Sequence, residues 1–176
     1  IMHHAQKPVL VIRLKEKPRA KGACVESMGG DLSSHVLFAT DFSDTADIAF
    51  SYLVEMIAGG AGKVTLLHVQ ARARVGRLEE FAEIDRDRLQ EMKRLLQAKA
   101  DVAVETILRH GPPTAEITKL VDELDVKLVV MGNQRRGLVK EVLLGSVSHD
   151  VARLSSCSAL LVPLDERDLN KQNRNP

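Results

Sequence analysis

The 176 residues suffice for one α/β domain of ordinary size, roughly 100 to 150 residues, plus an additional segment. Lysine and arginine number 25 against 24 acidic residues, with no basic stripe, no Trp and a single Tyr, which excludes a nucleic-acid partner and a stacking platform for bases. No apolar run approaches the roughly 20 residues that cross a bilayer, the N-terminus carries no signal-peptide pattern, and Cys24 and Cys157 lack zinc or disulfide spacing, so the expected setting is reducing and cytoplasmic, with no membrane partner.

In chain order, residues 1–14, "IMHHAQKPVLVIRL", come first. They align with residues 151–164, "VARLSSCSALLVPL", so that Val9, Leu10, Val11 and Ile12 fall on Ala159, Leu160, Leu161 and Val162. Two readings stay open: an unrelated strand behind a tag remnant at His3 and His4, or the last helix end and strand of another copy of the domain that follows. Under the second, a chain that starts with Ile starts inside a larger protein. Residues 15–34 are charged and glycine-containing without periodicity, as a linker is.

From residue 35 onward, short apolar runs alternate with amphipathic helices, the pattern of a parallel sheet wrapped by helices. The runs are "HVLFAT" (35–40), "KVTLLHV" (63–69), "DVAVETIL" (101–108), "KLVVMG" (127–132) and "SALLVPL" (158–164). Four are continuously apolar, as strands covered on both faces are. The third sets Val102, Val104 and Thr106 against Ala103, Glu105 and Ile107, which predicts a half-exposed edge strand. Helical stripes lie at Ala46, Ala49, Phe50, Leu53 and Ile57, at Leu78, Phe81, Leu89, Met92 and Leu96, and at Ile117, Leu120, Val121 and Leu124. "AGGAG" (58–62) closes the first helix, "GPPT" (111–114) opens the third, and a fourth runs from near Gly145 and Ser146 to about Leu154. Right-handed crossovers make this an open, doubly wound, five-stranded parallel sheet in the order 3-2-1-4-5, with an extra N-terminal strand ahead of it and a polar tail at 165–176.

A ligand is expected beyond the C-terminal ends of the first and fourth domain strands, where the strand order reverses. "ATDFSD" (39–44) sits there. Asp41 either accepts hydrogen bonds from a ribose hydroxyl or an adenine amine, or it caps the next helix, as Ser43 and Asp44 also could. Backbone groups of Val69 could read a base edge, while His68 reads as a packed strand residue. The strongest signal is "MGNQRRGLVKEVLLGS" (131–146): a strand ending at Gly132, a polar and basic loop, then a helix start at Gly145 and Ser146, whose N–H groups and hydroxyl suit phosphate oxygens. Gly132 and Gly137 have the spacing of a kinase-type P-loop, but Leu138 and Val139 stand where lysine and a hydroxyl residue are needed, and no G-x-G-x-x-G follows the first strand. His149 and Asp150 read as helix residues, and no catalytic set can be placed, so the reading is not an enzyme.

Together, "VLFATDFSDTADIAF", "VTLLHV", "GPPTAEI", "LVVMG" and "LLGSVSHDVARLSSCSALLVP" resemble the universal stress protein family over about residues 35–164. The resemblance implies the Rossmann-like, adenine nucleotide alpha hydrolase-like fold and makes the N-terminal strand the end of a preceding domain in a tandem protein. It also implies a pattern G-x2-G-x9-G-[ST] that holds ATP or AMP, with or without Mg2+. Asp41 and Val69 match the family's ribose and adenine contacts, and Gly132, Gly145 and Ser146 match the outer positions of the pattern. The implied contacts are Thr40, Asp41, Val69, Gly132, Arg135, Arg136, Gly145, Ser146, Val147 and Ser148.

Arg135 departs from the pattern, replacing its second glycine. A non-glycine residue at a left-handed position costs roughly 1 to 2 kcal/mol, whereas a charge-assisted hydrogen bond from Arg135 or Arg136 to a phosphate returns about 1.5 to 3 kcal/mol. The terms are comparable, so two functions compete: a nucleotide-binding regulatory module, and a nucleotide-free interaction module that pairs through its last strand, either as a homodimer or within one tandem chain. An adenylating or phosphoryl-transfer enzyme is the weaker third.

Overall fold

The computed structural model describes residues 7–13, 32–71, 78–133 and 146–164, without side chains at 78–80 and 146. Most of the linker, the tail and the loop at 134–145 lie outside the described residues. The described chain forms β1 (Val9–Val11), β2 (Val36–Thr40), α1 (Asp44–Ala58), β3 (Lys63–Gln70), α2 (Leu78–Lys99), β4 (Ala103–His110), α3 (Pro113–Glu123), β5 (Leu128–Asn133), α4 (Ser146–Leu154) and β6 (Ser158–Pro163). The sheet order is β1-β6-β5-β2-β3-β4. The five domain strands are thus parallel in the predicted order, and β1 adds an antiparallel strand beside β6.

β2 lies at the centre and every one of its residues is buried. Its side chains alternate between the two faces, so one strand feeds two cores. Val36 and Phe38 pack with Ile48, Leu53, Leu89 and Leu96 of α1 and α2. Leu37 and Ala39 pack with Ile117, Leu120, Val121 and Val151 of α3 and α4. The predicted stripes are these buried faces, with Phe50, Phe81 and Leu124 only partly covered and the Leu78 side chain outside the described residues.

The edge strand is displaced by two residues from the sequence expectation. The apolar run from Asp101 begins the edge strand two residues too early; Val102 donates its N–H to Ala100 O at 3.0 Å in the turn out of α2. The strand itself runs from Ala103 to His110, because it is matched pair for pair to β3, from Lys63↔Ala103 to Gln70↔His110. α1 ends at Ala58, where the glycine run was expected to close it; Gly59 is still right-handed, and Gly60, at φ 104, makes the change of direction that needs a glycine.

His35 fastens the start of the sheet. Its Nδ1–H donates to the Leu124 carbonyl at 3.1 Å and its Nε2 accepts from the Thr65 hydroxyl at 2.9 Å. Burial holds its pKa below the ordinary histidine value, opposed by the Leu124 carbonyl and reinforced by Lys63, with Glu105 and Asp125 also opposing. The folded state therefore favours neutral His35 more than the unfolded chain does, which protonates it as pH falls through about 6.5. Its contribution to stability is present above that pH and is lost below it. Urea denaturation should show a larger loss between about pH 7.5 and pH 5.5 in the wild type than in His35→Gln, and an equal loss in both would remove His35 from the explanation.

Candidate functional site

The strand order reverses between β2 and β5, which are parallel neighbours. From β2 the chain turns to α1 and β3, and from β5 to α4 and β6, so the two connections diverge and leave a crevice beyond the C-terminal ends. The register of β2 against β3 ends at Thr40↔His68, and β3 continues past it through Val69 and Gln70. Thr40, Asp41, Val69 and Gly132 are thereby brought to one end of the sheet.

The turn after β2 is bonded internally. The buried Thr40 hydroxyl accepts the Phe42 N–H at 2.9 Å. Asp41 Oδ1 accepts the Ser43 N–H at 3.1 Å and the Ser43 hydroxyl at 2.6 Å. The helix cap is Ser43, whose Oγ accepts the Ala46 N–H at 3.4 Å. Asp41 is therefore a turn-forming residue whose carboxylate stays at the exposed surface, and capping falls to Ser43. Phe42 adopts φ 57, a left-handed backbone uncommon for a bulky residue, which lays its ring against His68 with centroids 4.5 Å apart.

Beneath this turn lies a polar cluster that the sequence reading missed. His68 does pack within the strand layer as expected, but it is also bonded: Nδ1–H donates to Thr40 O at 2.8 Å and Nε2 stands 3.4 Å from Asp85 Oδ2. Gln70 Nε2 donates to the same Asp85 oxygen at 2.6 Å. Arg88 Cζ lies 4.4 Å from the Phe42 ring centroid. Nearby, the Asp47 carboxyl is pushed above the usual carboxylate range by burial and by Asp44, with Arg88 opposing. Asp85 and Arg88 come from α2. Helical periodicity identifies the apolar face of α2 and says nothing about which polar residues reach the strand ends.

On the far side of the crevice, α1 and α4 approach the end of β5 from opposite faces of the sheet. A Cβ on Gly132 would stand 2.9 Å from the carbonyl carbon and oxygen of Thr45 and 3.0 Å from Ala46 N. The side-chain-free position lets the start of α1 touch the strand. On the other face, the buried Ser148 hydroxyl donates to Asn133 Oδ1 at 3.0 Å, binding the first turn of α4 to the last residue of β5. Two helix N-termini therefore converge on one strand end; α1 carries Asp44 and Asp47 in its first turn, whereas α4 has no acidic residue there to offset its dipole. The first-turn amides of α4, beginning with Ser146 and Val147, have no acceptor within the helix and are suited to an anion. Arg135, Arg136 and Gly145 lie outside the described residues. His149 and Asp150 are helix residues, as expected, with Nδ1 and Oδ1 3.8 Å apart.

The family model for universal stress proteins matches residues 33–163. The chain belongs to the universal stress protein family. Universal stress protein YxiE of Bacillus subtilis is 32% identical over 143 residues, covering 72% of this chain and 97% of its own. The solved structure of MJ0577, the universal stress protein of Methanocaldococcus jannaschii, is 30% identical with TM-score 0.65, covering 76% of this chain and 97% of that one. A universal stress protein in complex with cAMP shares the fold at TM-score 0.60 and 24% identity, covering 73% of this chain and 96% of that one. The universal stress protein of Archaeoglobus fulgidus in complex with dAMP shares it at TM-score 0.57 and 17% identity, covering 74% of this chain and 98% of that one.

Within this universal stress domain, Gly132 has a packing role that needs no ligand. Gly132→Ala should destabilise the protein by about 1 to 3 kcal/mol, because the methyl group meets helix backbone and not a flexible side chain. Urea denaturation without nucleotide measures it, and an unchanged midpoint would show that α1 can retreat at little cost.

Proposed function

We propose that this domain binds an adenine nucleotide, ATP or AMP, in the crevice between β2 and β5 and serves as a regulatory module of the stress response. The observation that carries the reading is the convergence of Asp41, the projecting end of β3 at Val69, and the start of α4 on one strand-order reversal. In this reading the ribose is held by Asp41 next to Thr40, the adenine edge by the backbone of Val69, and the phosphates by Ser146, Val147 and Ser148 with Gly145, Arg135 and Arg136 of the preceding loop. Mg2+, where present, would accompany the phosphates. The adenine nucleotides in the cAMP and dAMP complexes of structural relatives support the ligand class. The buried Cys157 thiol, with a pKa pushed by burial up to about 11, suits a cytoplasmic location because it is protonated and shielded from oxidation.

The N-terminal segment fits the end of a preceding domain, and the residue register supports this. Val9, Leu10 and Val11 pair with Leu161, Leu160 and Ala159. Leu10, the counterpart of Leu160 in the repeat, lies opposite Leu160 itself, so the two strands are related by a local two-fold axis. Leu10 and Ile12 are 46% and 53% exposed, whereas Val162, the repeat counterpart of Ile12, is fully buried in the α1/α2 core. An apolar strand face left open in this way is what a missing core would cover. Because β1 already occupies the outer edge of β6, pairing through the last strand is within one chain, in preference to a homodimer through that edge. An intact mass of the natural protein matching the 176 residues alone would overturn this organisation.

Mass spectrometry of the small molecules released from purified protein should detect ATP or AMP, and a clean absence after ATP has been supplied would favour the nucleotide-free interaction module. Gly145→Val should weaken equilibrium ATP binding by a factor of about ten or more, the equivalent of about 1.4 kcal/mol, by crowding the phosphate end. Unchanged affinity would displace the phosphates from the start of α4. Arg135→Gly reports the sign of the departure from the family pattern: tighter binding means that the arginine obstructs, weaker binding that it holds phosphate.

A further inference from the structure

We propose that Arg13 is a positioning residue for the phosphate end of the crevice: it holds the C-terminal end of α4, the helix whose first turn forms that end, and so links nucleotide affinity to the docking of β1. The inference rests on the nucleotide reading above.

α4 spans Ser146–Leu154, nine residues. Isolated helices shorter than about 12 to 15 residues are marginal in water, so the order of α4 depends on what packs against it and on what holds its ends. The last carbonyls of a helix have no amide within it. Here the donors come from the other end of the sequence. Arg13 Nε donates to Ser155 O at 3.0 Å, and Nη2 donates to Ala152 O at 2.9 Å and to the Arg153 carbonyl. The Arg13 backbone N–H donates to Ser158 Oγ at 3.1 Å, at the first residue of β6. A fixed cation at a helix C-terminus is also where the helix dipole favours one. The planar, forked guanidinium serves several carbonyls at once, which the compact ammonium of a lysine cannot do in the same way.

β1 fixes the guanidinium in place. Its three residues pair with β6, and Arg13 follows two positions later. At its opposite end α4 is tied to β5 by the Ser148–Asn133 bond. Held at both ends, the helix presents its first-turn amides in a set orientation. With the Arg13 end released, a bound phosphate must order the helix itself, and its affinity falls by that cost. The proposed adenine and ribose contacts are on β3 and in the turn after β2, not on α4. The effect of Arg13 is therefore selective for the phosphate part of the ligand, which a general loss of stability is not.

The test compares ATP with adenosine by calorimetry in the wild type, Arg13→Ala and Arg13→Lys, with hydrogen exchange as a second readout. Arg13→Ala should weaken ATP binding about fivefold or more, the lower end of ordinary coupling between sites, while adenosine affinity is unchanged and Arg13→Lys lies between. Because coupling is reciprocal, ATP should slow exchange of the Val9–Val11 amides in the wild type. Unchanged ATP affinity in Arg13→Ala, or an equal loss for ATP and adenosine, overturns the inference. If Arg13→Ala does not fold, the wild-type exchange measurement decides alone, and β1 amides indifferent to ATP overturn it. A wild type that binds no ATP overturns the nucleotide reading and this inference with it, whereas failure of the inference alone leaves wild-type binding intact.

Discussion

The geometry of the crevice depends on one close contact: the backbone of α1 at Thr45 and Ala46 against the Cα of Gly132 at the end of β5. A side chain of any size at that position would drive the start of α1 away from the sheet. The Asp41 turn runs directly into α1 through the Ser43 cap, so the placement of Asp41 relative to β5 is set by that same contact. The opposite face is set by a polar contact of similar economy, Ser148 to Asn133, which brings α4 to the same strand end. Together they bring two helix starts and the projecting end of β3 to one end of the sheet.

This bears on how the glycine pattern is read. Gly132 and Gly145 both match the family's nucleotide-binding spacing, yet Gly132 is required by packing whether or not a ligand is present. Its occurrence therefore supports the fold more than the function. Evidence for phosphate binding has to come from the other end of the pattern, where the first-turn amides of α4 are presented, and from the basic pair Arg135 and Arg136. The energies of a displaced glycine and of a gained arginine contact are of the same order, so the substitution alone decides nothing.

The fold was legible because each strand and helix carries its own burial signal. Period-two alternation in β4 identified an edge, continuous apolar runs identified buried strands, and Pro113 with the glycines after Ala58 marked helix ends. The edge strand was misplaced by two residues because apolarity locates what is buried, whereas strand ends are set by pairing with β3. Asp41, Val69 and Gly132 were reachable from the rule that ligands lie at the strand-order reversal. The cluster of His68, Gln70, Asp85 and Arg88 was not, since it depends on how α2 lies across β3, and a polar residue on a helix gives no periodic sign of its partner. Arg13 was invisible for a related reason: the partners of its guanidinium are backbone carbonyls 139 to 142 positions away, and any residue type could have supplied those.

Arg13 nevertheless changes what the N-terminal strand means. In the sequence alone, residues 9–12 leave two readings open; as a strand paired to β6, residues 9–11 cover an edge. Arg13 gives the same segment a mechanical link to α4, because its four donated hydrogen bonds, three from the guanidinium and one from the backbone, fall on the C-terminal end of that helix and on the start of the strand after it. The N-terminal segment docked through β1 therefore contacts the helix that the phosphates would contact, at the opposite pole of the same dipole. Under the proposed nucleotide reading, that is a direct physical route by which occupancy of the crevice and attachment of the N-terminal segment influence each other, and it needs no movement of the sheet.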